Sequence, residues 1–390
     1  MTIEESLIND VVKWRHHLHQ HPELSYEEYK TTEFVYDLLR TFEGLEVSRP
    51  TKTGVLAILK GTKPSRESKT ILFRADMDAL PIQEETGVDF SSKIDGIMHA
   101  CGHDCHTSML LGAAKALSQM RHELSGEIRF MFQHAEEVTP GGSIEFINAG
   151  VAEDVDYAFA LHVDPYLNVG EFQLKYDVLL GTADDFKVKI KGKGSHASQP
   201  ENSIDTIAIS AQIISNLQHI VSRKISPLNV PVVSVTRIHG GDALNVLPDT
   251  VEMGGTVRAI NDESRLIARK QVDKIIQGIC ATHDATCEIE WDIGYPSVTN
   301  ADDAVDISKK SMEQVVDENQ VILLEEPQFG TEDFANISHA VPSSMQMIGG
   351  HNEALGDPYP LHHPKMQISD ETLQYGVAYF MQVAKNTLTE

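Results

Sequence analysis

The chain has 390 residues, with 32 Lys plus Arg against 58 Asp plus Glu and a net charge of −26 with His neutral. Its 41% apolar and 23% charged residues describe a globular protein and exclude wholesale disorder, collagen and coiled-coil rods. The acidity argues against nucleic acid and anionic membrane surfaces as partners, and the lack of an apolar run of about 18 residues argues against a membrane helix.

The length exceeds a comfortable single core, so two domains are expected. Residues 3–19 read as an amphipathic helix with Leu7, Ile8, Val11, Val12 and Leu18 on one face. A second helix carries Phe34, Val35, Leu38, Leu39 and Phe42. Strands follow at 54–59 and 70–74, then a helix over 106–120 whose Leu110, Leu111, Ala114 and Leu117 share a face. Further strands lie at 126–132 and 157–162. Strands alternating with helices predict an α/β sheet covered on both faces.

A second unit starts near Asp184, with a strand at 186–191, a helix at 203–222, strands at 232–238 and 251–260, a helix at 263–283 and a strand at 286–295. That β-α-β-β-α-β order is the ferredoxin-like arrangement. Past Pro296 the α/β pattern resumes with a helix at 304–315, a strand at 321–324 and a last helix at 370–387. The predicted domains are therefore 1–181 with 296–390, interrupted by an insert of residues 182–295. The opening residues, Met1 to Ser6, lack the basic and apolar regions of a signal peptide, which makes the cytoplasm the expected location. Cys101, Cys105, Cys280 and Cys287 are then not a disulfide framework.

The chemistry-bearing residues cluster in short segments around the 18 histidines. In MHACGHDCH, residues 98–106, the Cys101 thiolate and His103 imidazole sit two residues apart in a Gly-containing turn. Both donors suit zinc and similar borderline-soft metals. Asp104 could orient an imidazole or ligate, and the plainer alternative is a His-rich loop with Cys105 in the core. QHAEE, residues 133–137, follows a strand, where α/β proteins keep their sites. One of its carboxylates, Glu136 or Glu137, could ligate while the other moves a proton. LHVD ends another strand with His162, LHHP carries His362 and His363, and RADMDALP places Asp76 and Asp78 past a strand as orienters of an imidazole. All of these fall in the larger domain.

Together with GSHASQP, NVLPD and GTEDF, these motifs resemble the M20 family of metal-dependent amidohydrolases. The resemblance is to the branch of bacterial aminoacylases, hippurate hydrolases, N-acetyldiaminopimelate deacetylases and plant auxin–amino acid conjugate hydrolases. It runs in order from RHHLHQHPEL, residues 15–24, to Pro364. It implies a catalytic domain with a mixed sheet flanked by helices and two divalent ions per subunit, plus an inserted ferredoxin-like lid domain that dimerises. Manganese or zinc come first, with cobalt and nickel as alternatives.

The ligands implied are Cys101, His103, Glu137, His162 and His362, with Glu136 as catalytic base and Asp78 as a supporting carboxylate. LHHP has two histidines where many relatives have one followed by Ser or Asn; the spacing to Pro364 favours His362, with His363 as the alternative. The insert offers His196 and Asn245 as oxyanion donors or substrate-polar contacts, and Arg258 to capture a substrate carboxylate. Their plainer readings are a strand-to-helix turn, a loop cap and a surface cation. In GTEDF, Thr331 can cap a helix whose first turn favours Glu332 and Asp333, while the resemblance also implies that this segment lines the pocket.

The activity implied is hydrolysis of an N-acyl amino acid, in which a divalent ion acidifies water and Glu136 takes its proton. A dipeptidase or carboxypeptidase of the same superfamily is the alternative, and the CGHD turn argues against it. A non-catalytic metal- or amino-acid-binding relative is the third reading, and it has no need of Glu136 beside a ligand.

Overall fold

Strand Thr70–Asp76 is buried on both faces, with Ile71, Leu72 and Phe73 at most 1% exposed, as a strand lying between two helix layers must be. In the computed structural model, which describes residues 3–65 and 67–389, it is central to an eight-stranded sheet. Met1, Thr2, Arg66 and Glu390 lie outside the described residues, and with them part of the signal-peptide reading. The strand order is Leu45–Ser48, Val55–Lys60, Glu127–Gln133, Thr70–Asp76, Tyr157–Asn168, Ser343–His351, Phe172–Leu174 and Val321–Leu323. The sheet is mixed: the four central strands run parallel, and antiparallel pairs flank them on both sides.

Helices Glu5–Gln20, His103–Gln119 and Thr372–Leu388 pack on one another beside this sheet. Val11, Leu110, Leu111, Val377 and Phe380 join Phe73, Phe130 and Phe159 in one buried cluster. The helix expected over 106–120 starts three residues earlier, because Gly102 turns the chain at φ +84°. A side chain there would also strike Val163, whose Cγ2 lies 2.3 Å from where a Cβ would stand.

Strand Ser343–His351 has no counterpart among the expected elements, although it lies mid-sheet and all but its last residue are buried. Its sequence, SSMQMIGGH, is too polar to read as a buried strand. The polar groups are nevertheless satisfied: Ser344 accepts from Ser308 at 2.8 Å and from Gln346 at 2.7 Å, and Gln346 Oε1 accepts the Lys175 N–H at 3.0 Å.

The chain forms two compact units, Met1–Leu179 with Val298–Glu326 and Glu332–Glu390, and Leu180–Ser297 with Pro327–Thr331. The second unit holds a four-stranded antiparallel sheet in the order Val232–His239, Thr250–Ala259, Thr182–Lys191 and Thr286–Ile293. Strand Thr182–Lys191 alternates buried and exposed residues, so one face is covered. Helices Thr206–Arg223 and Asp262–Thr282 cover it through Ile213, Leu217, Val272 and Ile276. The strand and helix order is the ferredoxin-like one. Residues 327–331 differ from the division drawn from the sequence: the Gly181 N–H donates to Gln328 O at 2.9 Å, a pairing no local pattern announces. Among the described residues no helix is long and apolar enough to cross a membrane.

Candidate metal centre

Parallel strands deliver the site. Asp76 pairs in register with Gln133, and Arg74 with both Met131 and Ala160, so the carboxyl ends of three strands come level. Asp76 and Asp78, then Gln133 to Glu137, then His162 therefore emerge side by side, at the sheet edge where α/β folds bind ligands. Gly102 aims the first turn of helix His103–Gln119 at the same place.

Two tight turns complete the convergence. Ala135 is held at φ +51° with its N–H on Glu28 Oε1 at 2.7 Å. His362 is held at φ +63° with its N–H on Ala100 O at 2.8 Å. Left-handed backbone at non-glycine residues costs on the order of 1 kcal/mol or more and persists only where surrounding contacts enforce it.

The side chains brought together are Cys101, His103, Glu137, His162 and His362. Cys101 Sγ lies 3.4 Å from His162 Nε2, and His362 Nε2 lies 3.1 Å from Glu137 Oε1. His103 Nε2 is 3.9 Å from the same Glu137 oxygen. Donor atoms of Cys101, His103 and His162 all lie within 4.8 Å of one another, as do those of Cys101, Glu137 and His362, and of His103, Glu136 and Glu137. His363 turns away: its ring stacks on Tyr359 at 4.5 Å, and Nδ1 accepts the Lys365 N–H at 3.1 Å.

Asp78 supports the group from behind. Its two oxygens accept the N–H groups of Glu136 and Glu137, each at 3.0 Å, and Oδ2 also accepts Ser25 Oγ at 2.7 Å. Oδ1 stands 3.3 Å from His103 Nδ1. Asp104 does not join the cluster; it pairs with Arg15 at 3.2 Å and His19 at 2.9 Å. Cys105 is fully buried in the core.

The donor set fits a divalent cation. His103 Nε2 and Glu137 Oε1 are buried and make no hydrogen bond. The His162 ring is fixed by Val163 O, 2.8 Å from Nδ1, which leaves Nε2 directed at Cys101. Burial opposes charge on His103, yet Asp76, Asp78 and Glu137 outweigh it and raise its pKa to about 10. A pocket that negative favours a cation as much as a proton. Burial, and then Glu137 and Glu136, push the Cys101 thiol far up, so its thiolate needs a cation beside it. His162 is driven down to about 3 by burial and by His106, and so is neutral, the form that ligates.

Sequence reasoning missed the buried ion network behind Glu136. Arg74, 1% exposed, donates to Gln133 at 2.9 Å, Asp76 at 2.7 Å, Glu332 at 2.7 Å and Asp333 at 2.8 Å. Asp76 also faces His106 Nδ1 at 2.6 Å, while His106 Nε2 accepts the Val163 N–H at 2.9 Å. The unread signal was Arg74 itself, a cation in the middle of a strand that runs Ile71-Leu72-Phe73 before it. Thr331 does not cap the helix; Phe334–Ala340 starts later, with Asp333 at its N-cap and no side-chain capping bond. Burial, followed by Glu332, Glu137, Asp333 and Asp78, raises the Glu136 pKa well above the usual carboxylate range.

His196, Asn245 and Arg258 lie in the second unit. His196 is in the two-residue strand Ser195–His196 and pairs with Val246, so Asn245 is its neighbour, and Asn245 O accepts the Ala197 N–H at 2.9 Å. Both side chains are exposed. Arg258 donates to Thr256 Oγ1 at 3.0 Å and lies 4.0 Å from Asp185.

The family model described as peptidase family M20/M25/M40 matches residues 72–386, most of the chain. The chain belongs to peptidase family M20/M25/M40. It is accordingly a hydrolytic enzyme. Members similar to it include an N-acyl-L-amino acid amidohydrolase of Geobacillus stearothermophilus, 50% identical over 294 residues, covering 75% of this chain and 79% of that one. Thermostable carboxypeptidase 1 of Saccharolobus solfataricus is 38% identical over 388 residues, 96% of each chain. Among solved structures, a dinuclear metal-binding M20 peptidase of Bacillus subtilis superposes with a TM-score of 0.82 at 35% identity, covering 98% of both chains.

Proposed function

We propose that this M20 member hydrolyses the amide bond of N-acyl amino acids with two divalent ions held by Cys101, His103, Glu137, His162 and His362. The observation that carries the reading is the meeting of these five donors, from four separate stretches of chain, with the extra carboxylate of Glu136 beside them. Bound there, the ions would supply Lewis acidity that lowers the pKa of water and polarises the acyl carbonyl. Manganese or zinc suit the mixed S, N and O donors, as do cobalt and nickel.

Glu136 takes the proton of the attacking water and returns it to the leaving amine. Its buried surroundings favour the protonated state, which suits the second half of that task. Asp78 orients His103 and fixes the backbone of Glu136 and Glu137. Arg258 is assigned the substrate's free carboxylate, and His196 and Asn245 its polar acyl end. The second unit is assigned dimerisation, with residues 182–295 as the functional insert. A cytoplasmic location agrees with four free cysteines.

The test is a hydrolysis screen of N-acetyl, N-benzoyl and longer N-acyl amino acids after reconstitution with each metal. Turnover of at least one class is expected. Protein that carries metal yet cleaves none would instead be a binding relative. The likeness to the Saccharolobus carboxypeptidases favours one second reading, cleavage of a C-terminal peptide bond. Both substrates join an acyl carbon to an amino acid with a free carboxylate, so N-blocked dipeptides belong in the same screen.

A further inference from the structure

Glu136 is held by more than its own turn. The N–H of Asp333 donates to Glu136 Oε1 at 3.3 Å, across 197 residues of sequence. Asp333 is in turn gripped from three separate stretches of chain. Arg74 Nη2 donates to its Oδ1 at 2.8 Å, and Gln133 Nε2 to its two oxygens at 2.8 and 2.6 Å. The Ser143 N–H donates to Oδ2 at 3.0 Å, and Ser143 Oγ to the Asp333 carbonyl at 2.8 Å.

Asp333 is fully buried. The loop that brings Ser143 up needs Gly141 at φ +83°, where a Cβ would stand 2.5 Å from Asp333 Oδ2. Five hydrogen bonds from four donor groups thus fix one carboxylate and its own carbonyl, and none of the residues supplying them is among the five grouped donors of the metal centre. A neutral turn or an ordinary N-cap does not need so many. The remaining task for this anchor is the direction of its own N–H, which meets Glu136.

We propose that Asp333 is a positioning residue for the reaction: clamped by Arg74, Gln133 and Ser143, it points its backbone N–H at Glu136 and fixes where that carboxylate stands. This rests on the role given to Glu136 above. A proton carrier must reach both the attacking water and the leaving nitrogen, and a misplacement of about 1 Å can cost about a hundredfold in rate.

The experiment is a double-mutant cycle on reconstituted full-length enzyme, reading kcat, KM and metal content. Asp333→Asn is expected to lower kcat by about 10- to 100-fold, with KM within about twofold and metal content unchanged. Glu136→Asp shortens the side chain beyond reach of the Asp333 N–H. In that background, Asp333→Asn should cost less than about threefold, because the contact it disturbs is already gone. If Asp333→Asn does not fold, Ser143→Ala runs the same cycle with a smaller loss. A loss of equal size in both backgrounds, a loss shared with KM and metal content, or no loss at all would overturn the proposal. Full turnover by Glu136→Gln would instead remove the base itself, and so strike the functional reading first.

Discussion

The two units hold their candidate residues in different ways. In the larger one, Cys101, His103 and His162 are at most 8% exposed, and the two imidazoles are oriented by Asp78 and by the Val163 carbonyl. In the second, His196 and Asn245 are exposed, and the Arg258 guanidinium has one good hydrogen bond and one distant carboxylate. Burial multiplies electrostatic effects, because water no longer screens them. It therefore shifts pKa values and demands compensation in the first unit. Substitutions should accordingly abolish function in one region and only tune it in the other.

The sharpest contrast comes from Cys101→Ala, which should lose metal and lower turnover on the order of a thousandfold or more, as metal analysis and kinetics would show. Next, Asp78→Asn should weaken metal affinity about 10- to 100-fold, because it loosens His103 and the Glu136–Glu137 backbone together. Titration with a chelator-buffered metal reads this directly, and unchanged affinity would place Asp78 outside the site's support. Metal affinity should also fall as pH falls, since binding must expel protons from Cys101 and from His103, whose pKa stands at about 10.

In the second unit, Arg258→Ala should raise KM about tenfold on N-acyl amino acids and leave the corresponding amides unaffected. An equal loss on both would contradict carboxylate capture. The smallest effect concerns stability alone. His19, 5% exposed, has its pKa raised to about 9: burial lowers it, but Asp104 and Glu84 outweigh burial. Because the folded pKa exceeds the unfolded value of 6.5, this stabilisation is full below pH 6.5 and is lost as pH rises through about 9. At most about 3 kcal/mol is at stake, and thermal melts from pH 6.5 to 9.5 of the wild type and His19→Gln should converge at the alkaline end.

The fold was legible where hydrophobic period and burial coincide. Strand Thr70–Asp76 and helix Thr372–Leu388 stood within two residues of their expected ends, and the insert's strand and helix order followed from periodicity alone. Strand Ser343–His351 was not legible, because its buried polar residues are satisfied by Ser308 and Lys175, remote in sequence. The donor segments were legible because Cys, His and Glu are rare neighbours with few other uses. The Arg74–Asp333 clamp was not, since 259 residues separate its ends and Arg74, though unusual in its strand, does not name its partner. The turns at Ala135 and His362 were equally hidden: positive φ at those residues is imposed by Glu28 and Ala100, not by local propensity.

The central claim is that Glu136 moves protons beside a metal centre it does not itself build. The most direct measurement is the turnover of Glu136→Gln, reconstituted to the metal content of the wild type. A loss of about 10²- to 10⁴-fold with both ions retained is the predicted result. Turnover near that of the wild type would contradict it.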